Sequence, residues 1–286
     1  MSTMSSNVKI TDLPWEHIIC RKIFPCLRIS TLFGLRCVSR ELKALVQLYF
    51  NTLFSLNISR CSGKMTAVAF EIMTCNNYCI KVLNLSNSRD FLSNDGLVPV
   101  LRRNPLLSVI NFASCSGLSN VSLQSLASEC PSLKTLILRD CHWVNDDGLL
   151  SVALRCDQLV TLDLTGCWNL GNNTLKIVIG KLENLEVLSL AKIYGVTNDT
   201  VNILAQTCKR LRHLNIHGCW RVTNDAIWLL GEYCSSLKLL QVKDCRDINE
   251  ISLSKLRAKK VRIDVAPPVS APNLAKLSRL SLNLQT

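Results

Sequence analysis

Side chains able to do bond chemistry are unevenly supplied in these 286 residues. There are fifteen cysteines but only four histidines, His17, His142, His213 and His217. A hydrolytic triad needs a nucleophile, a base and an orienting carboxylate within mutual reach. No Ser/His/Asp or Cys/His set stands at a spacing that could build one, and no glycine-rich phosphate loop is present. His213 and His217 with Cys208 and Cys219 have a zinc-like composition. An extended chain, however, puts positions 213 and 217 about 13 Å apart, whereas zinc ligands lie about 2 Å from one ion. The chain is therefore expected to be non-catalytic, with no metal and no cofactor.

The cysteine count is odd, and MSTMSSNVKITD lacks the basic-then-apolar layout of an export signal. The expectation is reduced thiols in an intracellular protein, cytoplasmic with the nucleus left open. A free cysteine behaves as a small buried hydrophobe. Apolar residues make up 48% and charged residues 19%, which excludes a disordered chain. No run of eighteen apolar residues exists, so no membrane helix is expected. The net charge of +12 is concentrated at the ends: +4 over 1–55, +2 over 56–130, +1 over 131–245 and +5 over 246–286. A nucleic-acid groove would run a basic stripe through the body, so nucleic acid is not an expected partner.

The elements that would position any functional side chain are set by a repeat. Leu56, Leu83, Ile110, Leu136, Leu162, Leu188, Leu214 and Leu240 are spaced by 27, 27 and then 26 residues throughout. Each stands in an L-x-L-x-x-C pattern, usually with another leucine three residues earlier (Leu133, Leu159, Leu185, Leu211, Leu237). Such alternation predicts a short strand with one buried face. The closing cysteine recurs at 61, 115, 141, 167, 219 and 245, with Ser88 and Ile193 in the two other copies. A polar turn and a helical pattern follow, closing at Cys130, Cys156, Cys208 and Cys234, with Leu182 in register. Ten of the fifteen cysteines thus occupy two repeat positions, where they should pack. Ser93, Ser119, Asn145, Gly171, Thr197 and Thr223 are the predicted N-caps. Asp95, Asp147, Asp199 and Asp225 complement the helix starts.

Strand, turn and helix every 26 residues is similar to the cysteine-containing leucine-rich repeats, over about residues 53–265, with VRIDV at 261–265 as a short closing copy. Stacked units of that kind bury each other's apolar faces.

Residues 10–50 precede the repeats with apolar spacings of three and four, predicting amphipathic helices. Pro14 suits a helix start and Pro25 a break. Helices so short must pack on the repeats, on a partner, or on both. Leu13-Pro14, the pair Ile18/Ile19, Ile23-Phe24, and Leu32 through Val38-Ser39-Arg40 resemble an F-box. Where that motif has a tryptophan, this chain has Leu42. The combination resembles the F-box/LRR-repeat proteins.

That resemblance implies an α/β fold: a three-helix F-box over 10–50, then a right-handed leucine-rich-repeat horseshoe with a parallel sheet inside and helices outside. Residues 1–9 would be a flexible lead and 266–286 a tail. It implies a substrate-recognition adaptor of an SCF ubiquitin ligase. Leu13, Pro14, Ile18, Ile19, Ile23, Phe24, Leu27, Leu32, Leu35, Val38 and Leu42 would contact SKP1, and SKP1 in turn a cullin and a RING subunit. NDGLVPVLRRNP at 94–105 and LSKLRAKKVRIDVAPP at 253–268 are similar to one member in particular, which implies a HECT-type ubiquitin ligase as substrate, in BMP signalling. The alternative is a repeat scaffold unrelated to ubiquitin. A small-ligand sensor of the same family would need a dense basic cup, which the mid-chain balance of +1 opposes.

Eight strands about 4.8 Å apart span roughly 34 Å, a width suited to a protein surface. Arg139, Lys192, His213, His217 and Lys243 would point from the inner face. His142, Trp168, Tyr194 and Trp220 occupy one slot after the cysteine in four consecutive copies, with Trp143 beside the first. They would form an aromatic ladder along the rim, either packing between layers or contacting substrate. The leucines of the tail, from 274 to 284, fit neither period.

Overall fold

The structure is a computed structural model and describes residues 13–266; the expectations for 1–9 and for the tail beyond 266 lie outside the described residues. A wide, π-type helix runs Trp15–Ile23 and tightens into a single 3₁₀ turn over Phe24–Cys26, where Pro25 removes a backbone donor. Helices α1 (Ile29–Arg36) and α2 (Arg40–Asn51) follow. Ser39 of the Val38-Ser39-Arg40 signature is the N-cap of α2, its hydroxyl accepting from the Leu42 amide at 3.1 Å.

Nine strands come next, each three residues long except the last: β1 Ser55–Asn57, β2 Val82–Asn84, β3 Val109–Asn111, β4 Thr135–Ile137, β5 Thr161–Asp163, β6 Val187–Ser189, β7 His213–Asn215, β8 Leu239–Gln241 and β9 Arg262–Ile263. They form one parallel sheet in chain order. Between them lie α3 (Ala67–Thr74), α4 (Asn94–Arg103), α5 (Asn120–Glu129), α6 (Asp146–Arg155), α7 (Asn172–Lys181), α8 (Asn198–Thr207), α9 (Asn224–Tyr233) and α10 (Glu250–Ala258). This is the leucine-rich-repeat horseshoe. Leu56, Leu83, Ile110, Leu136, Leu162, Leu188, Leu214 and Leu240 pair in direct register and are sealed from solvent. Burying each such side chain contributes about 1.5–3 kcal/mol.

Two hydrogen-bond ladders bind layer to layer. In the first, the thiol at the strand-end position reaches back one repeat: Cys115 Sγ donates to the Leu85 carbonyl at 3.0 Å, Cys141 to Phe112 at 3.0 Å, Cys167 to Leu138 at 3.1 Å, Cys219 to Leu190 at 3.3 Å and Cys245 to Ile216 at 3.1 Å. Ser88, in the same slot, buries a hydroxyl with no partner. In the second, the first residue of five of the helices accepts the N-cap amide of the next repeat: Asn94 Oδ1 from Ser119 at 3.1 Å, Asn120 from Asn145 at 3.2 Å, Asp146 from Gly171 at 3.0 Å, Asn198 from Thr223 at 2.8 Å and Asn224 from Asn249 at 2.9 Å. N-cap amides are orphan donors of a helix, so this arrangement satisfies them between layers rather than within one.

At the front, Ile19, Phe24, Leu32, Leu42, Val46 and Phe50 are buried. Phe24 packs edge-on to Tyr49 with ring centroids 5.4 Å apart. Asn77 Nδ2 then donates to the carbonyls of Phe50 at 2.6 Å and Leu53 at 3.0 Å, and Gln47 Nε2 to that of Ile72 at 2.9 Å, fastening α2 to the first repeat. At the far end β9 is the last strand among the described residues. The amide that follows each strand donates to the next strand's carbonyl in the inner layers, as from Ile216 to Gln241 at 2.9 Å. For Val242 the acceptor is instead the Asp264 carboxylate, at 2.8 Å, which also accepts from the Lys243 amide at 3.2 Å. Replacing Asp264 by Ala should cost about 1 kcal/mol. It should speed hydrogen exchange at the Val242 and Lys243 amides while leaving the Leu136 amide unchanged; equal protection in both proteins would show that the carboxylate does not close the sheet.

Candidate docking surfaces

The backbone first fixes where rim side chains stand. One position before the strand-end cysteine slot, in every copy but the first, the chain turns through the left-handed region: Asn87, Ser114, Asp140, Gly166, Lys192, Gly218 and Asp244 have φ between 56° and 73°. Each inner one sends its amide to the next repeat, as Lys192 does to the His217 carbonyl at 2.8 Å. Asn, Asp and Gly tolerate this conformation; Lys does not benefit from it. The residue two places further on is the aromatic slot, so the turn sets that side chain at the rim in each of these seven layers.

The four slot residues are not equivalent. His142 lies flat on Trp168, centroids 4.1 Å apart and planes 11° from parallel, and His142 Nδ1 is 3.2 Å from the Gly166 carbonyl. Tyr194 and Trp220, 67% and 55% exposed, make no ring contact with each other. Together with Lys192, His217, Gly218 and Asp244 they line a cavity of about 320 Å³. His217 Nε2 is 3.4 Å from Asp244 Oδ2. The Arg221 guanidinium lies 5.3 Å from the Tyr194 ring centroid, and that of Arg246 5.3 Å from Trp220.

The other expected surface residues divide. The ring of Trp143 is half-buried and its indole N–H donates to the Cys115 carbonyl at 2.6 Å, so part of it packs on the previous layer. Arg139 is held by Asp163, Nη2 to Oδ2 2.8 Å. His213 lies half-buried in β7, and Lys243 is exposed beside the sheet's last edge. Arg221, Arg246 and Asp244 were not anticipated. Arg246 could have been, since it stands 26 residues after Trp220, in the same slot of the next copy.

The front module presents a second surface. Val38 is 70% exposed at the α1–α2 junction, Ile18 is 36% exposed and Pro14 is exposed, while Leu13, Ile23, Leu27 and Leu35 are half-buried. Ile19, Phe24, Leu32 and Leu42, also expected to meet a partner, are a correction. They face inward because so short a helical cluster has no other core, and they hold the module together. A cleft of about 540 Å³ lined by Trp15, Arg21, Tyr49 and Phe54, among others, runs where this module meets β1.

Chemistry at the thiols is suppressed. Burial raises Cys115, Cys156 and Cys234 to about 11 and Cys130, Cys167, Cys208 and Cys219 to about 12, and pushes Cys141 and Cys245 up as well. The thiolate is the nucleophile, so none of these is poised to attack at neutral pH. Among the described residues no three His, Cys, Asp or Glu converge on a metal-sized site, and no helix is long and apolar enough to cross a membrane.

Comparison with known proteins fits this architecture. No family model matches the chain. F-box/LRR-repeat protein 15 of Mus musculus is 36% identical over 120 residues, and that of Rattus norvegicus 35%. This chain is related to the F-box/LRR-repeat proteins. The matched stretch covers 42% of the chain and 40% of each relative. Among solved structures, the yeast Rad7–Elc1 complex contains a chain of like fold, at TM-score 0.60 and 17% identity, covering 75% of this chain and 56% of that one. Internalin C2 of Listeria monocytogenes gives 0.52 at 18% identity, covering 83% and 90%. Both likenesses concern the fold.

Two outcomes follow from the rim and the thiols. Under native conditions at pH 7.5, iodoacetamide should label exposed Cys26, Cys37 and Cys79 and spare the nine buried repeat cysteines. Rapid labelling of Cys167 or Cys219 in mass spectra would refute their packing role. Lys192→Gly relieves a left-handed residue worth about 1–2 kcal/mol against roughly 0.5–1 kcal/mol of added chain entropy. Its melting temperature should therefore equal or exceed that of the parent, and a fall of several degrees would contradict the turn analysis.

Proposed function

We propose that the chain is a non-catalytic substrate-recognition adaptor of an SCF-type ubiquitin ligase. The front module docks on SKP1, and through it on a cullin and a RING subunit. The horseshoe holds a protein substrate for ubiquitination and degradation, in the cytoplasm. The observation that carries this reading is the coexistence, in a relative of the F-box/LRR-repeat proteins, of a sealed front core with an exposed apolar edge at Val38, Ile18 and Pro14. A cap alone would need only the inward face. In the yeast complex the chain of like fold is crystallised with Elc1, which supports a second protein subunit as the kind of partner. The rate contribution is proximity: a tethered substrate meets the charged conjugating enzyme at high effective concentration. A HECT-type ubiquitin ligase as substrate, in BMP signalling, is the finer proposal, supported by likeness to F-box/LRR-repeat protein 15.

The surviving contacts name the test. Ile18→Glu with Val38→Glu places two charges on the exposed edge and leaves Ile19, Phe24 and Leu32 untouched. Co-purification with SKP1 should fall at least tenfold at unchanged melting temperature. Undiminished SKP1 recovery with this double variant would reduce the front helices to a cap and favour a repeat scaffold unrelated to ubiquitin.

A further inference from the structure

Only one rung of the rim is both open and bounded by charge. His142 and Trp168 close on each other. Tyr194 and Trp220 do not, and the space beside them is a cavity of about 320 Å³. Ligand pockets for whole small molecules begin at about that size, so this one suits a single bulky side chain. The charges at its border are uncommitted. Among the described residues neither Lys192, Arg221 nor Arg246 makes an ion pair. The one carboxylate in the lining, Asp244, is engaged by His217. Both arginines instead rest over the two rings, a weak contact at an exposed site. They can therefore exchange it for a carboxylate at little cost. Exposed Trp, Tyr and Arg together are the composition of interface hot spots.

We infer that the rung formed by Tyr194 and Trp220 takes a large apolar side chain from a partner segment whose flanking residues are acidic. Lys192, Arg221 and Arg246 meet the carboxylates, while the two rings and the cavity floor take the apolar group. This rests on the proposed reading of the horseshoe as a protein-docking surface and specifies the chemistry it selects. Single-stranded nucleic acid also uses rings and cations, but it needs a track of free ring faces. Here His142 and Trp168 cover each other, and the repeat body from 131 to 245 is nearly neutral at +1. Lys192 takes a left-handed φ of 59°, at the position that Gly166 and Gly218 fill in the layers on either side.

The test pans a random 12-residue peptide display library against the purified full chain. Selected peptides should share Trp, Phe, Leu or Met flanked by Asp or Glu. Their affinity, read by fluorescence polarisation, should fall at least tenfold with Trp220→Ala and at least threefold with Lys192→Gly, and it should weaken between 50 and 300 mM NaCl. A selected pool with no acidic enrichment, or affinities unmoved by Lys192→Gly in a protein of unchanged melting temperature, would overturn the inference. So would tighter binding of a labelled 12-nucleotide poly(U) strand than of any selected peptide. SKP1 co-purification is measured on the same preparations. Lost SKP1 binding with intact peptide binding would sink the ligase reading alone; the reverse would sink only the acidic-segment chemistry.

Discussion

A three-residue strand cannot satisfy its own backbone, and in this fold nearly every strand is three residues long. Buried amides and carbonyls must be paired, so each layer depends on the next for its hydrogen bonds. That dependence fixes the period. Slipping a strand by one residue would turn its leucine from the core to the open face, and the sheet keeps direct register through all eight buried positions. The two 27-residue intervals at the start do not disturb it: Leu56, Leu83 and Ile110 still pair directly, so the extra residue is absorbed outside the strands.

The same constraint builds the rim. Because every layer after the first turns at the same place, through a left-handed residue, the side chain two positions later leaves the backbone at an equivalent point in each of them. Function can then vary residue by residue without altering the scaffold. His142 over Trp168 makes a closed rung; Tyr194 and Trp220, each with an arginine over it, make an open one. The difference lies entirely in which side chain follows the turn.

What was legible in the sequence follows from this. Strand positions, helix starts and the packing role of the cysteines were readable because they are periodic, and periodicity survives any local accident. The asparagine ladder of Asn94, Asn120, Asn198 and Asn224 was equally periodic, but each sits one place after an N-cap. A cap side chain bonds within its own helix, and nothing in its residue type marks the between-layer bond made one place on. The direction of the Trp143 ring was not legible because adjacency to the ladder says nothing about which way a ring turns; its indole N–H finds a carbonyl of the previous layer. The front helices were ambiguous for a deeper reason. Spacings of three and four identify an amphipathic face but not what covers it, so Ile19, Phe24, Leu32 and Leu42, which close the module's own core, could not be told from Ile18 and Val38, which remain outside.

The two ends of the stack carry the remaining argument. An open solenoid end exposes a row of unpaired sheet groups, and near each end of the described sheet a polar side chain makes the bonds that other groups make in the inner layers. Asn77 and Asn104 occupy the slot that later copies give to cysteine. Their amides bind the carbonyls of Phe50, Leu53 and Asn77 at 2.6–3.1 Å, tying the front helices into the sheet's own hydrogen-bond scheme. Asp264 does the equivalent work at the other end. A buried thiol is only a weak donor and suffices between identical layers, where packing already sets the register. At the junction with a different kind of element a stronger, doubly bonded amide is needed. The front helices are thus joined to the horseshoe by satisfied buried hydrogen bonds and a shared core rather than by a tether, so whatever docks on Val38 is held at a set distance from whatever sits against Trp220.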